Sequence, residues 1–368
     1  MIAKKKLLIV ASFPPKGKKI IGGIERSSRI LSESKYIKEF NLIKFDTSQI
    51  SHPPPKFLIR LFLATIRVFR FILNIILHRP NSALIFCSDG WSALEKGIMI
   101  IICRIFCVKS LIFPRAGNLI TQTHNNIYFR RIIRFLFSKA NFFLCQGPTW
   151  HTYALNDLFM DKSRVAIINN WTATQEIINV GKNRIINNNI NSLEILYVGW
   201  LEKQKGINEL LHSCNDLISD YNINMKFIGD GSLRNNIETY SIEKNIQKNI
   251  SLLGWLDDEE IISNLKKADI FVLPSWHEGM PNSLIEALAS GLPSISTSVG
   301  IIPDYIIDNY NGLLVHPKNQ LNLKKTIEKT INDVNLRRKI SKNGVLLAEK
   351  MFSEEASIKK LTELIKKL

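Results

Sequence analysis

Glu278 and Glu286, with seven residues between them, lie within Pro274-Ser275-Trp276-His277-Glu278-Gly279-Met280-Pro281-Asn282-Ser283-Leu284-Ile285-Glu286-Ala287. The segment leaves an apolar run at 270–273 and enters a stretch of helical periodicity, so it reads as strand, loop and helix. Asn282 is a good N-cap, and Gly291 followed by Pro293 stops the helix after about two turns. The amides around Asn282, Ser283 and Leu284 then lack intrahelical acceptors and form an anion site. Glu278 stands in the loop at the helix mouth, and Glu286 lies one turn inside. Carboxylates at those two depths can grip hydroxyls at both ends of one ligand with an anionic middle. A nucleotide sugar has that chemistry.

The elements that must position these residues are clearest in the second half. Short apolar runs at 195–198, 225–228, 250–253, 270–273, 294–297 and 313–315 read as buried strands. Helical stretches at 207–221, 233–245, 258–267 and 282–290 alternate with them, which predicts a parallel sheet covered by helices. Ligands of such sheets bind outside the carboxyl ends of the strands. The first half repeats the alternation less cleanly, with strands expected at 7–10, 42–45, 83–86, 110–113 and 142–145. The polar stretch 181–192, with Asn187-Asn188-Asn189, reads as an interdomain linker. We therefore expect an acceptor-side domain at 1–187, a nucleotide-sugar domain at 188–350, and a terminal helix at 351–368 that packs back on the first domain.

The two glutamates, within Glu-Gly-Met-Pro-Asn-Ser-Leu-Ile-Glu-Ala, closely resemble the signature of glycosyltransferase family 4. Tyr197-Val198-Gly199-Trp200-Leu201, Lys205-Gly206, Phe227-Ile228-Gly229-Asp230-Gly231, Leu253-Gly254-Trp255, Ala289-Ser290-Gly291-Leu292-Pro293 and Asn311-Gly312-Leu313 follow the family's order. The resemblance is strong from Leu193 to about Val315 and holds only in outline before that. It implies an α/β GT-B fold, two Rossmann-like doubly wound domains facing each other across a cleft. It also implies sugar transfer with retention at the anomeric carbon. By carry-over, Glu278 contacts hydroxyls of the transferred sugar, Glu286 the ribose, and Lys205 the pyrophosphate. Glu278 and Lys205 are thus the catalytic candidates. Glu286, Asn282, Ser283, Leu284 and Gly279 bind the donor, with Gly22 and Gly23 letting backbone approach the ligand from the first domain. Removing one group that stabilises the departing diphosphate costs about 3 kcal/mol of transition-state stabilisation. With protein cations in that role no metal or other cofactor is required, and Asp257-Asp258 reads as a helix cap. Two positions depart from the family: Trp200 replaces its usual arginine, and 111–118 lacks the first-domain histidine, with Arg115 there instead. His124 reads as a surface loop residue, and His277 as shaping its loop. These departures leave a catalytically degenerate nucleotide-sugar-binding protein as the alternative reading.

The net charge of +17 is unevenly placed: residues 1–180 hold 26 Lys and Arg against 9 Asp and Glu, and the remainder holds 23 of each. A basic first half suits an anionic membrane or a phosphorylated acceptor. The segment 56–80 is rich in Leu, Ile and Phe but interrupted by Arg60, Arg67, Arg70 and Arg79, and 128–139 repeats the pattern with Arg130, Arg131 and Arg134. These read as helices lying in a membrane interface rather than crossing it, the plainer alternative being core helices with a solvated arginine stripe. No segment has eighteen uncharged apolar residues, so no spanning helix is expected. The expected partners are a nucleotide sugar, a polyprenyl-diphosphate-linked saccharide acceptor and the anionic inner face of the cytoplasmic membrane. Nucleic acid is not expected, because no recognisable binding motif interleaves aromatic and basic residues. The five cysteines have no metal-binding spacing and read as thiols of a reducing compartment.

Overall fold

The computed structural model describes residues 4–13, 22–48, 55–187 and 192–368, which form two compact units. The first comprises Met1–Trp171 and Glu354–Leu368, the second Thr172–Ser353.

In the first unit, β1 (Lys6–Ala11), β2 (Asn41–Asp46), β3 (Ser82–Cys87), β4 (Lys109–Pro114), β5 (Phe142–Cys145) and β6 (Val165–Ile167) form one sheet, ordered β2-β1-β3-β4-β5-β6. All its pairings are parallel. The crossovers carry α1 (Gly23–Glu33), α2 (Phe57–His78), α3 (Gly90–Ile105), α4 (Asn118–Asn125), α5 (Ile127–Phe137) and α6 (Pro148–Asn156). Right-handed crossovers put α1 on one face of the sheet and the later helices on the other. Accordingly, α3 packs between α2 and α5. The opposite face buries Leu7, Ile9, Leu31, Phe86, Phe113 and Trp171 in one cluster.

The second unit contains α7 (Gln175–Lys182), β7 (Leu193–Val198), α8 (Ile207–Tyr221), β8 (Ile223–Ile228), α9 (Arg234–Glu243), β9 (Ile250–Gly254), α10 (Asp258–Lys267) and β10 (Ile270–Leu273). It continues through α11 (Asn282–Ala289), β11 (Ser294–Thr297), β12 (Leu313–Val315), α12 (Gln320–Asn332) and α13 (Val334–Phe352). Its parallel sheet has the order β12-β11-β10-β7-β8-β9. Both units are therefore doubly wound α/β, and both strand orders reverse at an internal switch point. The chain then returns to the first unit through a π-helical turn at Glu355–Lys359 and α14 (Lys360–Lys366). There Ile358, Leu361 and Ile365 join the cluster around Leu7 and Trp171.

Several expectations need correction. The second unit begins at Thr172, not 188, because α7 packs on α11 and α13. The approach is so close that a Cβ on Gly181 would lie 2.1 Å from Ala289 O. The returning segment starts at Glu354 rather than 351. The N-cap of α11 is Pro281, with Asn282 the first helical residue. His124 lies in the last turn of α4 rather than a loop, and bonds Asp157 at 3.2 Å. The three-residue β6 was not anticipated. Part of the expected linker, 188–191, and Pro14-Pro15 lie outside the described residues.

Contrary to expectation, α2 is long and apolar enough to cross a membrane by length and composition. Its context argues against doing so. Both β2 and β3, the strands flanking it, pair with β1. Neighbours in one sheet cannot lie on opposite sides of a hydrocarbon layer about 30 Å thick. The helix is a crossover that buries Phe71 and Ile75 and leaves most of its other apolar residues exposed.

Candidate functional site in the second unit

In this unit the chain runs outward from β7 and β10 in opposite directions, so the switch point lies between them. Lys205 belongs to the loop after β7, and Glu278 to the loop after β10. The two loops are tied at three places. Trp276 N donates to Gln204 O at 2.8 Å. A Cβ on Gly206, whose φ is +70°, would lie 2.0 Å from Pro274 O. Lys205 Nζ then meets Glu278 Oε1 at 2.6 Å. Their side chains are 22% and 12% exposed, so the pair is ordered by protein and still open to a ligand. The loop after β11 backs it, since a Cβ on Gly300 would lie 1.8 Å from Glu278 O.

The loop itself is pinned through Trp276. Its indole Nε1 donates to Glu209 Oε1 at 2.9 Å, and Lys318 Nζ lies 4.5 Å from the ring centroid. Neither Glu209 nor Lys318 was anticipated; the only signal was an indole inside the signature loop. Beneath the pair, the buried Tyr197 hydroxyl donates to Trp200 O at 2.8 Å. Burial and the Glu278 carboxylate push that phenol well above its ordinary pKa.

Asn282, Ser283 and Leu284 form the first turn of α11, and Ile285 N donates to Pro281 O at 3.2 Å. The helix N-terminus thus presents its opening amides and its dipole on the same side of the sheet as Lys205. Gly279 is buried in the approach to this turn. Glu286 is 3% exposed on the helix interior. The structure therefore gathers Lys205, Glu278 and the head of α11 within the second unit. Among the described residues, no three His, Cys, Asp or Glu side chains gather as a metal site. Trp200 packs edge-on against Trp255 at 4.8 Å, an aromatic contact at the carboxyl ends of β7 and β9.

Gly22 and Gly23 belong to the first unit, where Gly22 caps α1 with φ −91° and ψ 161°. That backbone is open to any residue, and a Cβ there would meet nothing within 4 Å among the described residues. No conformational need for glycine is visible. The Gly22 amide bonds the Glu25 carboxyl, which burial pushes up to about 7.

Comparison with known proteins gives a concordant picture. Residues 182–346 match the family model described as Glycosyl transferases group 1. An uncharacterized glycosyltransferase of Methanocaldococcus jannaschii is 36% identical over 160 residues, 44% of each chain. The Escherichia coli UDP-Gal:alpha-D-GlcNAc-diphosphoundecaprenol alpha-1,3-galactosyltransferase is 31% identical over 172 residues, 44% of this chain and 43% of its own. The matched stretch thus spans less than half the length of these two relatives. Sucrose-phosphate synthase from Thermosynechococcus elongatus superimposes with a TM-score of 0.75 at 18% identity, covering 99% of both chains. That likeness shows the fold, a two-unit α/β architecture of GT-B type.

Proposed function

We propose that the protein is a retaining glycosyltransferase that moves a hexose-type sugar from a nucleotide diphosphate donor to a lipid-linked or saccharide acceptor in surface polysaccharide synthesis. The observation that carries this reading is the Lys205–Glu278 contact at the switch point of the second unit. In the reaction, the bond from the anomeric carbon to the diphosphate breaks and a bond to the acceptor hydroxyl oxygen forms. The acceptor proton is released to solvent, and negative charge grows on the nucleoside diphosphate. Lys205 and the N-terminus of α11 are suited to stabilise that charge, while Glu278 holds sugar hydroxyls and Glu286 the ribose. The stabilisation needs no metal ion.

The membrane part of the reading rests on the first unit. It holds 30 Lys and Arg against 11 Asp and Glu, whereas the second holds 19 against 21. On α2 the residues Leu58, Phe62, Phe69 and Leu77 are more than 60% exposed. On α5, Tyr128 is 73% and Phe135 57% exposed. Exposed Arg60, Arg70, Arg131 and Arg134 stand among them. Apolar side chains interleaved with arginines fit the headgroup boundary of an anionic bilayer. The E. coli relative's name specifies a diphosphoundecaprenol acceptor, which supports an acceptor at that surface.

The test is a panel of UDP-, GDP- and dTDP-sugars, with and without acceptor in anionic vesicles, followed by proton NMR of the product. Transfer from one donor with unchanged anomeric configuration is expected; an inverted product would remove the retaining assignment. Thermal stabilisation by a nucleotide sugar without any release would favour the degenerate binding protein, a reading motivated by Trp200.

A further inference from the structure

Arg115, which follows β4, has surroundings unlike those of Arg67, Arg184 and Arg337. Arg67 pairs with Glu95 through two nitrogens. Arg184 donates to the carbonyls of Ser290, Ala268 and Leu265. Arg337 donates to those of Thr330, Ile331 and Asn187. Arg115 has one hydroxyl: Nη2 donates to Ser27 Oγ at 2.7 Å. Its Nη1 is sealed from solvent with no hydrogen-bond partner among the described residues. The guanidinium instead lies against three rings, 4.9 Å from Phe113, 5.0 Å from Trp171 and 5.4 Å from Phe86. Burial alone pulls it down to about 9, with no carboxylate countering the shift.

The rings stabilise a cation but do not neutralise it. A guanidinium held this way, one side sealed and part of the residue still in solvent, is an expensive feature unless an anion completes it. Its location suits a ligand. Arg115 N donates to Cys87 O at the carboxyl end of β3, and β3 flanks the switch point of this unit. Ser27 holds the same guanidinium from α1, the helix that follows β1. The elements on both sides of the switch point thus converge on one cation that has no carboxylate partner among the described residues.

We infer that Arg115 is the anion-binding residue of a subsite in the first unit that takes the diphosphate of a lipid-linked acceptor. A planar fork suits phosphate oxygens. The lipid assignment rests on the same unit carrying the protein's net positive charge and, on the other face of its sheet, the exposed apolar sides of α2 and α5. The inference deepens the glycosyltransferase reading and relies on it for the word acceptor.

The test uses the full chain with farnesyl diphosphate and farnesol as probes, in wild type, Arg115→Met, Arg115→Lys and Lys205→Met. Wild type is expected to bind the diphosphate at least tenfold more tightly than the alcohol. Arg115→Met should lose that preference while its ligand-free melting temperature holds or rises; Arg115→Lys should retain a part. Lys205→Met should keep it. If Arg115→Met keeps the preference, or if Lys205→Met abolishes it, the diphosphate sits elsewhere and the inference falls. A ligand-free melting temperature several degrees lower in both Arg115 variants would make the guanidinium a structural group and overturn it. Inorganic pyrophosphate should bind at least tenfold more weakly than farnesyl diphosphate; equal binding would overturn the lipid assignment. Donor turnover in the wild type is measured beside these. Its absence would remove the glycosyltransferase reading while leaving the Arg115 result to stand or fall alone.

Discussion

Lys205 and Glu278 are 73 positions apart in the chain and 2.6 Å apart in space. Their types and the order of the loops around them are readable in the sequence. Their contact is not, because it depends on β7 and β10 being neighbours in the sheet. Gly206 shows the same dependence: its positive φ and the carbonyl of Pro274 leave no room for a side chain. Gly206→Ala is therefore expected to lower the melting temperature and donor affinity together, measured by thermal shift with and without nucleotide sugar. Gly22 is the converse case. Gly22→Val should lower the melting temperature by no more than about 2–4 °C, the cost of a poorer N-cap where the backbone is ordinary and no described residue crowds the Cβ, and lower transfer activity. A large loss of stability would mean that the glycine serves folding. Glu25 gives a pH signature. Its folded pKa, about 7, stands above its usual 4.5, so the folded state binds the proton more tightly than the unfolded chain. That group's contribution to stability falls as pH rises from about 4.5 to 7 and stays low above. Glu25→Gln should thus melt about 2–4 °C above wild type at pH 8, with the gap closing below pH 4.5. Equal melting at pH 8 would contradict a carboxyl whose partial burial raises its pKa.

At the scale of elements, period and breakers located the strands of the second unit to within two residues at most; a strand such as β10, apolar and buried on both faces, reads as an unbroken run. The capping box of α10, Asp257 with Glu260, was visible as an acidic helix opening. The three-residue β6 was too short to carry a period, and its pairing with β5 is a tertiary fact. The character of α2 was legible as apolar with arginines, yet its partner was not. Arg67 turns inward to Glu95, while Arg60 and Arg70 face solvent. The membrane reading predicts different consequences for these arginines. Arg60→Glu with Arg70→Glu should reduce co-sedimentation with vesicles containing anionic lipid, at ~1 kcal/mol per basic residue lost, and leave thermal stability near wild type. Arg67→Ala should instead lower the melting temperature, because it leaves the Glu95 carboxylate and the neighbouring Lys96 in the interior. If the double charge reversal left vesicle binding intact, α2 would not be the docking element.

Across the whole molecule, the asymmetry of charge pointed to two units of different character. The boundary between them could not be read, because α7 looks like the tail of the first half and is held by packing on α11 and α13. The return of the terminal segment leaves the strongest mark on stability. Ile358, Leu361 and Ile365 are at most 1% exposed within the first unit's cluster. Three such side chains contribute about 5–9 kcal/mol of burial. A chain ending at Ser353 should lose the first unit's cooperative melting while the second unit still responds to nucleotide sugar; wild-type melting of that truncation would contradict the packing. The central claim is that glycosyl transfer occurs at the head of α11 with Lys205 and Glu278 beside it. The most direct test is nucleoside diphosphate release from the preferred donor by wild type, Lys205→Ala and Glu286→Ala, each first shown to be folded. The account predicts release by the wild type and a loss of about 10²–10³-fold in the Lys205 variant, with a comparable defect in the Glu286 variant. Release at wild-type rates from folded Lys205→Ala and Glu286→Ala would place the chemistry elsewhere.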